Sequence, residues 1–95
     1  MATDLELSKV ELKRISVAAH DGMSRAILPS HTPYDGDLIF AASTGRKKIK
    51  IEPSDIYNIG NAAGICLSRA IARGVYEAKS EINDLLPTWL DIEKL

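Results

Sequence analysis

The spacing of apolar residues predicts a long amphipathic helix in the first third of the chain. One apolar stripe repeats at steps of three and four residues and comprises Leu12, Ile15, Ala19, Met23 and Ala26. Ser8 and Glu11 have the S-x-x-E spacing of a capping box at its start. Pro29 follows its end, because the residue before a proline is pushed out of the helical conformation. We therefore expect a helix at about 8–26.

A second apolar stripe predicts a longer helix at 55–79, which Pro53 and Ser54 introduce and which has Asp55 in its first turn. Its apolar positions are Ile56, Ile59, Ala63, Cys66, Leu67, Ala70, Ile71 and Val75. Small residues crowd together within it, namely Gly60, Ala62, Ala63 and Gly64. Because a glycine inside a helix costs about 1 kcal/mol relative to alanine, these small residues predict close packing against another element.

The strongest strand signal follows a polar turn. Residues 38–42 read LIFAA, an uninterrupted apolar run that predicts a strand at 38–44 buried on both faces. Asp35 and Gly36 supply the bend before it. Lysine and isoleucine alternate over residues 47–52, and this period of two predicts an edge strand with one wet face.

The two ends of the chain carry weaker signals. Residues 2–7 fit either the tail of a strand or a loop. The apolar tail from Ile82 predicts a segment that docks on the rest of the protein, with Trp89 as its anchor.

These elements predict an α/β fold that is incomplete within one chain. A strand buried on both faces needs hydrogen-bond partners on both edges, since unpaired buried backbone groups are costly. Two helices and one or two strands cannot supply those partners. We therefore expect residues 1–95 to form a single partial domain, whose larger sheet is completed by another chain or by copies of itself.

Composition limits the classes of function. Ninety-five residues with 45% hydrophobic and 26% charged side chains indicate a small, soluble globular unit. The net charge of −1 gives no general attraction to nucleic acid or membrane, and the basic cluster at 46–50 lacks interleaved aromatic residues. The single cysteine, Cys66, fits a cytoplasmic location and is expected to be a small buried hydrophobe. No signal peptide or membrane-spanning run is visible.

Asp35 and Asp37 are the leading candidates for chemistry. Their spacing alone favours turn-forming and strand-capping aspartates over acid–base groups. His31 with both carboxylates could form a metal site, but three ligands on one loop are a weak signal without a fourth. His20, beside Asp21 on the first helix, is expected to be structural and to be satisfied by the following loop.

One long motif string resembles a known enzyme family. Residues 19–45 read AHDGMSRAILPSHTPYDGDLIFAASTG. This string resembles the C-terminal portion of the aminopeptidase/D-esterase family that also holds the nylon-oligomer hydrolases, relatives of the N-terminal-nucleophile hydrolases. The shared pattern is a helix with H-D-G-x-x-R-x-I-x-P, then H-T-P-x-D-G-D and an apolar strand. The similarity continues through the helix at 55–79 and so covers nearly the whole chain.

The resemblance implies a four-layer αββα sandwich, made from a precursor that cleaves itself into a larger α chain and a smaller β chain. A Thr or Ser at the start of the β chain attacks the amide, and its free α-amine accepts the proton. Asp35 and Asp37 match the carboxylates that lie near this nucleophile in the family. His31 and Tyr34 are the substrate-binding candidates for a small aminoacyl amide, ester or peptide, and no cofactor is implied.

The nucleophile has no counterpart in the given chain. By the family pattern it falls about five residues before Met1, a length suited to one short strand. Thr3 has no such role in the pattern and would need the residues before it to be trimmed. We therefore expect the C-terminal portion of a self-processing amide hydrolase or aminopeptidase, inactive alone, with an upstream α-type chain or further copies as its partners. The alternative is a non-catalytic module that keeps the half-fold and oligomerises or binds another protein.

Overall fold

Two long helices pack on a two-stranded parallel sheet in the computed structural model, which describes residues 1–95. The elements in chain order are β1 (Ala2–Leu5), α1 (Lys9–Ala26), β2 (Ala42–Lys47), α2 (Pro53–Glu77) and α3 (Trp89–Glu93). α1 is the crossover that a parallel pair of strands requires. None of the three helices combines the length and the apolarity needed to cross a bilayer. The predicted α/β class is confirmed.

α1 begins at the predicted cap. The Ser8 hydroxyl accepts a hydrogen bond from the Glu11 N–H at 3.2 Å, and the Ser8 N–H donates to the Glu11 carboxylate at 2.9 Å. These bonds satisfy N–H groups that have no partner within the helix. The N–H and then the hydroxyl of Ser8 hold the pKa of Glu11 below its usual value. The helix predicted at 8–26 is confirmed.

The two long helices cross at a pair of glycines. A Cβ atom at Gly22 would lie 1.9 Å from the carbonyl oxygen of Gly64, so no side chain fits there. A Cβ atom at Gly64 would meet Gly22 N at 3.6 Å, which is ordinary van der Waals contact. The close packing predicted from the small residues of α2 is confirmed, and the tightest position of the contact lies on α1.

β1 and β2 pair in parallel, and their register shifts part-way along. The pairs are Ala2 opposite Ala42, Thr3 opposite Ser43 and Leu5 opposite Lys47. Gly45 lies at the shift with a φ of 67°, a left-handed conformation that glycine adopts without steric cost. β2 therefore continues to Lys47, whereas the sequence predicted its end near Gly45.

The strand predicted at 38–44 is confirmed only over 42–44, and the edge strand predicted at 47–52 is wrong. Residues 38–41 form no strand, and β2 begins only at Ala42. Leu38 and Phe40 are 62% and 79% exposed, so the apolar run is not buried on both faces. Residues 48–52 form no strand either. The apolar run has no neighbouring strand in this chain, and extended backbone forms a ladder only beside a partner.

The core is small for the length of the chain. The buried cluster consists of Leu7, Ile15, Ala19 and Ala63. The radius of gyration is 16.4 Å, whereas a closed unit of this length has about 12–13 Å. The two helices and two strands therefore do not close into a sealed interior.

Because the interior is open, the predicted burial of Cys66 and the predicted docking of the tail from Ile82 both need correction. Cys66 is exposed, because it faces an open, mainly apolar cleft of about 210 Å³ between the sheet and α2. The apolar tail docks only through α3, which contacts α2, whereas Ile82 and Leu85 are almost fully exposed. Trp89 is itself about half exposed.

Candidate functional site

The candidate site lies on the loop of residues 27–41, which joins α1 to β2. The carboxylate of Asp35 is its centre. Oδ2 of Asp35 accepts the His31 N–H at 3.1 Å, and Oδ1 accepts the Asp37 N–H at 3.4 Å. One side chain therefore closes the turn from both sides, which is the local role that aspartate commonly takes in turns.

Burial of Asp35 acts to raise its pKa, but hydrogen bonds and charge reverse this effect. The N–H of His31, the side chain and N–H of Asp37, and the charge of His31 all favour the ionised carboxylate. The pKa of Asp35 is thereby held below its ordinary value. At neutral pH this group is a fixed anion and not a proton donor.

His31 links the turn to α1. Its φ of 56° lies in the left-handed region, which costs a residue with a Cβ atom about 1–2 kcal/mol relative to the right-handed conformation. Nε2 of His31 lies 3.0 Å from Nδ1 of His20, and Nδ1 of His31 lies 3.9 Å from Oδ2 of Asp35. The imidazole of His31 therefore stands between a helix side chain and the candidate carboxylate.

His20 belongs to this constellation, although sequence reasoning gave it only a structural role. The prediction that the following loop would satisfy it is confirmed, since His31 is its partner. The loop has a second tie to α1, in which the Ser30 hydroxyl donates to the Ser24 hydroxyl at 3.1 Å. The histidine of the H-D-G string was the available signal, but 11 residues separate the two rings, and only the turn of the loop brings them together.

The remaining candidates differ in their surroundings. Tyr34 is fully exposed. Asp37 is exposed and borders an open cleft of about 400 Å³ whose other eight lining residues are hydrophobic, among them Met23, Phe40 and Leu67. No group of three or more His, Cys, Asp or Glu side chains could hold a metal ion. The hydrogen bonds of the turn join the Asp35 carboxylate to the backbone N–H groups of His31 and Asp37.

The family is decided by a comparison with known proteins, in which residues 1–83 match Peptidase family S58. The chain belongs to peptidase family S58. The family S58 chain is 37% identical over 102 residues to an uncharacterized aminopeptidase of Mycobacterium tuberculosis (strain ATCC 25618 / H37Rv). It is 36% identical over 53 residues to a 6-aminohexanoate-oligomer endohydrolase of Paenarthrobacter ureafaciens. No solved structure matches the chain.

The shares of each protein that align differ widely. The mycobacterial alignment covers 97% of this chain but 29% of the relative, and the endohydrolase alignment covers 56% of this chain and 15% of the relative. The family S58 chain therefore spans less than a third of the length of these hydrolases. The family assignment made from residues 19–45 is confirmed.

Proposed function

We propose that this chain is the carboxylate-bearing, C-terminal portion of a self-processing amide hydrolase or aminopeptidase. Asp35 and Asp37 are its supporting carboxylates, and a segment outside residues 1–95 supplies the hydroxyl nucleophile. The assembled enzyme cleaves a small aminoacyl amide, ester or peptide, and the chain by itself is inactive. His31 and Tyr34 contribute to the substrate side of the site.

The register of the parallel sheet is the observation that carries the proposal. Ala2 lies opposite Ala42, an offset of 40 residues. The amino group of Met1 continues the ladder by donating to the carbonyl of Phe40 at 2.8 Å. A strand that extended β1 towards its N-terminus would therefore run beside residues 38–41, an apolar run in which only the Phe40 carbonyl is paired, with Met1.

The same offset supports a nucleophile close to the carboxylates. If the offset of 40 residues continued, a residue about five positions before Met1 would be level with Gly36, which lies between Asp35 and Asp37. The agreement joins two independent lines of reasoning, since the spacing to the nucleophile comes from the family motif and the offset comes from the sheet.

Two carboxylates beside an N-terminal threonine or serine have a clear chemical use. The free α-amine takes the hydroxyl proton as the nucleophile attacks, and the nearby anions stabilise the ammonium ion that forms. Asp35 suits this role because its lowered pKa keeps it ionised. Asp37 suits it because it is exposed and adjoins the apolar run along which the added strand would lie.

A second function is favoured by the exposed apolar residues of the loop. Leu38 and Phe40 lie exposed next to the open end of β2, where a strand from another molecule could add to the sheet. The chain would then be a non-catalytic module that pairs with itself or with another protein.

Native mass spectrometry and N-terminal sequencing, on protein purified from its source cells, separate the two functions. The hydrolase proposal expects these residues in a larger assembly that contains a chain beginning with Thr or Ser. An assembly of identical chains that begin at Met1 or Ala2, with no hydrolysis, would contradict it and support the module.

Hydrolysis of an aminoacyl p-nitroanilide by the assembled protein tests the site. Asp35→Asn and Asp37→Asn preserve side-chain shape and are each expected to lower kcat about 100-fold or more. Thr3→Ala is the control, because the Thr3 hydroxyl is engaged with the Leu5 N–H at 3.2 Å and lies outside the proposed machinery. Wild-type rates in both aspartate variants would overturn the site assignment, and loss of activity in Thr3→Ala would contradict the placement of Thr3 outside the machinery.

A further inference from the structure

The contact between the two histidines constrains the protons that they carry. Nδ1 of His20 lies 3.0 Å from Nε2 of His31, and the ring centroids are 4.8 Å apart with the planes tilted by 50°. Two neutral imidazoles at this distance share one proton, because one ring must donate an N–H and the other must accept it on a bare nitrogen. The tautomer of either ring therefore sets that of the other.

Asp35 decides which ring donates. Its Oδ2 lies 3.9 Å from Nδ1 of His31, which is too long for a hydrogen bond but close enough for the negative charge to favour a proton on that nitrogen. Neutral His31 then has a bare Nε2, and His20 must donate from its Nδ1–H. The Nδ1–H of His20 then points to His31, and the Nδ1–H of His31 points to the carboxylate of Asp35.

Asp35 is the one acidic group that forms an ion pair with either ring. The other charged residues close to the pair in sequence are Asp37 on the loop and Asp21 and Arg25 on α1. None of the three forms an ion pair with either ring, and the ion pair of His31 is with Asp35.

We propose that His20 is a positioning residue, which fixes the ring of His31 so that the Nδ1–H of His31 faces the carboxylate of Asp35. Its importance for hydrolysis rests on the proposed function, in which Asp35 must be held as an oriented anion. The His31 backbone N–H donates to the same Oδ2, so backbone and ring of one residue act on one oxygen. The pair is not needed merely to tie the loop down, because the bond between Ser30 and Ser24 already does so.

Long-range ¹H–¹⁵N NMR of the full chain reads the two tautomers without any need for activity. We expect both neutral rings to carry their proton on Nδ1. A neutral His31 that carries its proton on Nε2 would overturn the proposal, because His20 would then be the acceptor and no N–H of the ring would face Asp35.

Kinetics of the assembled enzyme test the consequence. His20→Phe keeps a ring but removes the donor, and is expected to lower kcat about 10- to 100-fold with little change in KM. His20→Asn places an amide N–H close to the position of Nδ1 and is expected to restore most of kcat. Ser30→Ala is the matched control, since it removes the other tie between loop and helix, and its kcat should stay near that of the wild type.

The opposite results are equally clear. Equal rates in His20→Phe and His20→Asn, or a loss in Ser30→Ala as large as that in His20→Phe, would show that the pair only anchors the loop. If the aspartate variants lose activity while His20→Phe keeps it, this inference alone fails. If the aspartate variants keep wild-type rates, the proposed function fails and the role in hydrolysis falls with it, while the NMR result still decides whether Asp35 directs the pair.

Discussion

The helix crossing and the loop between α1 and β2 are held together by opposite means. At the crossing, backbone meets backbone, and Gly22 has no space for a single added carbon atom. On the loop, His31 and Asp35 have side chains that are 41% and 23% exposed, and directed polar contacts define their positions. The crossing tolerates no added volume at Gly22. The loop tolerates volume but depends on where each proton lies, so we expect stability to respond to the first region and activity to the second.

The largest effect on stability is expected from Gly22→Ala. The new Cβ would meet the backbone of α2, which cannot rotate away, so the free energy of unfolding should fall by about 3 kcal/mol or more. Gly64→Ala, on the other side of the same contact, should cost less than about 1 kcal/mol, because its Cβ has ordinary contacts and alanine favours the helix. Urea unfolding of both variants measures the difference, and equal losses would contradict this view of the crossing.

A smaller loss is expected from Ser8→Ala, which removes the cap of α1 and should cost about 1 kcal/mol at neutral pH. The pKa of Glu11 is lowered in the folded state, so its stabilising contribution is present above its usual pKa and is lost as the pH falls through the folded value. The difference in free energy of unfolding between the wild type and Ser8→Ala should therefore become smaller at acidic pH.

Urea unfolding at neutral and acidic pH measures the difference in free energy of unfolding between the wild type and Ser8→Ala. Ser54→Ala is the control, because Ser54 is an exposed serine in the first turn of α2 with no side-chain hydrogen bond. If Ser8→Ala lowered the free energy of unfolding equally at every pH, the capping box would not be the source of the loss.

Gly74→Ala should stabilise the protein, in contrast to Gly22→Ala. Nothing lies within 4 Å of a Cβ atom at Gly74, and replacing a helical glycine by alanine gains about 0.5–1 kcal/mol. Thermal unfolding should show a higher Tm. A lower Tm would mean that the end of α2 packs against something outside this chain.

The smallest effect on the isolated chain is expected from Phe40→Ser. Its side chain is 79% exposed, so the free energy of unfolding should change by less than about 0.5 kcal/mol. If a strand of the assembled enzyme covers residues 38–41, the same substitution should weaken assembly, which analytical ultracentrifugation measures. Tyr34→Ser is the control, since Tyr34 is a fully exposed aromatic residue on the same loop. Equal dissociation by both variants would place the contact elsewhere.

The strand errors show what an apolar pattern records. Residues 38–42 have the composition of a strand buried on both faces, yet Leu38 and Phe40 are exposed and no ladder forms at 38–41. The pattern reports the surroundings to which a segment is suited, whereas burial depends on the neighbours that are present. The end of the strand was also predicted near Gly45, but Gly45 lies at a register shift and β2 continues beyond it.

The sequence by itself determined both long helices, the turn at Asp35 and membership of family S58. Each of these depends on residues close together in the chain, such as Ser8 with Glu11 or Asp35 with His31, or on an unbroken motif string. Only the tertiary structure decided the crossing at Gly22, the parallel register and the pairing of His20 with the loop. Those features join residues far apart in the chain, so they follow from how the elements pack and not from any local preference.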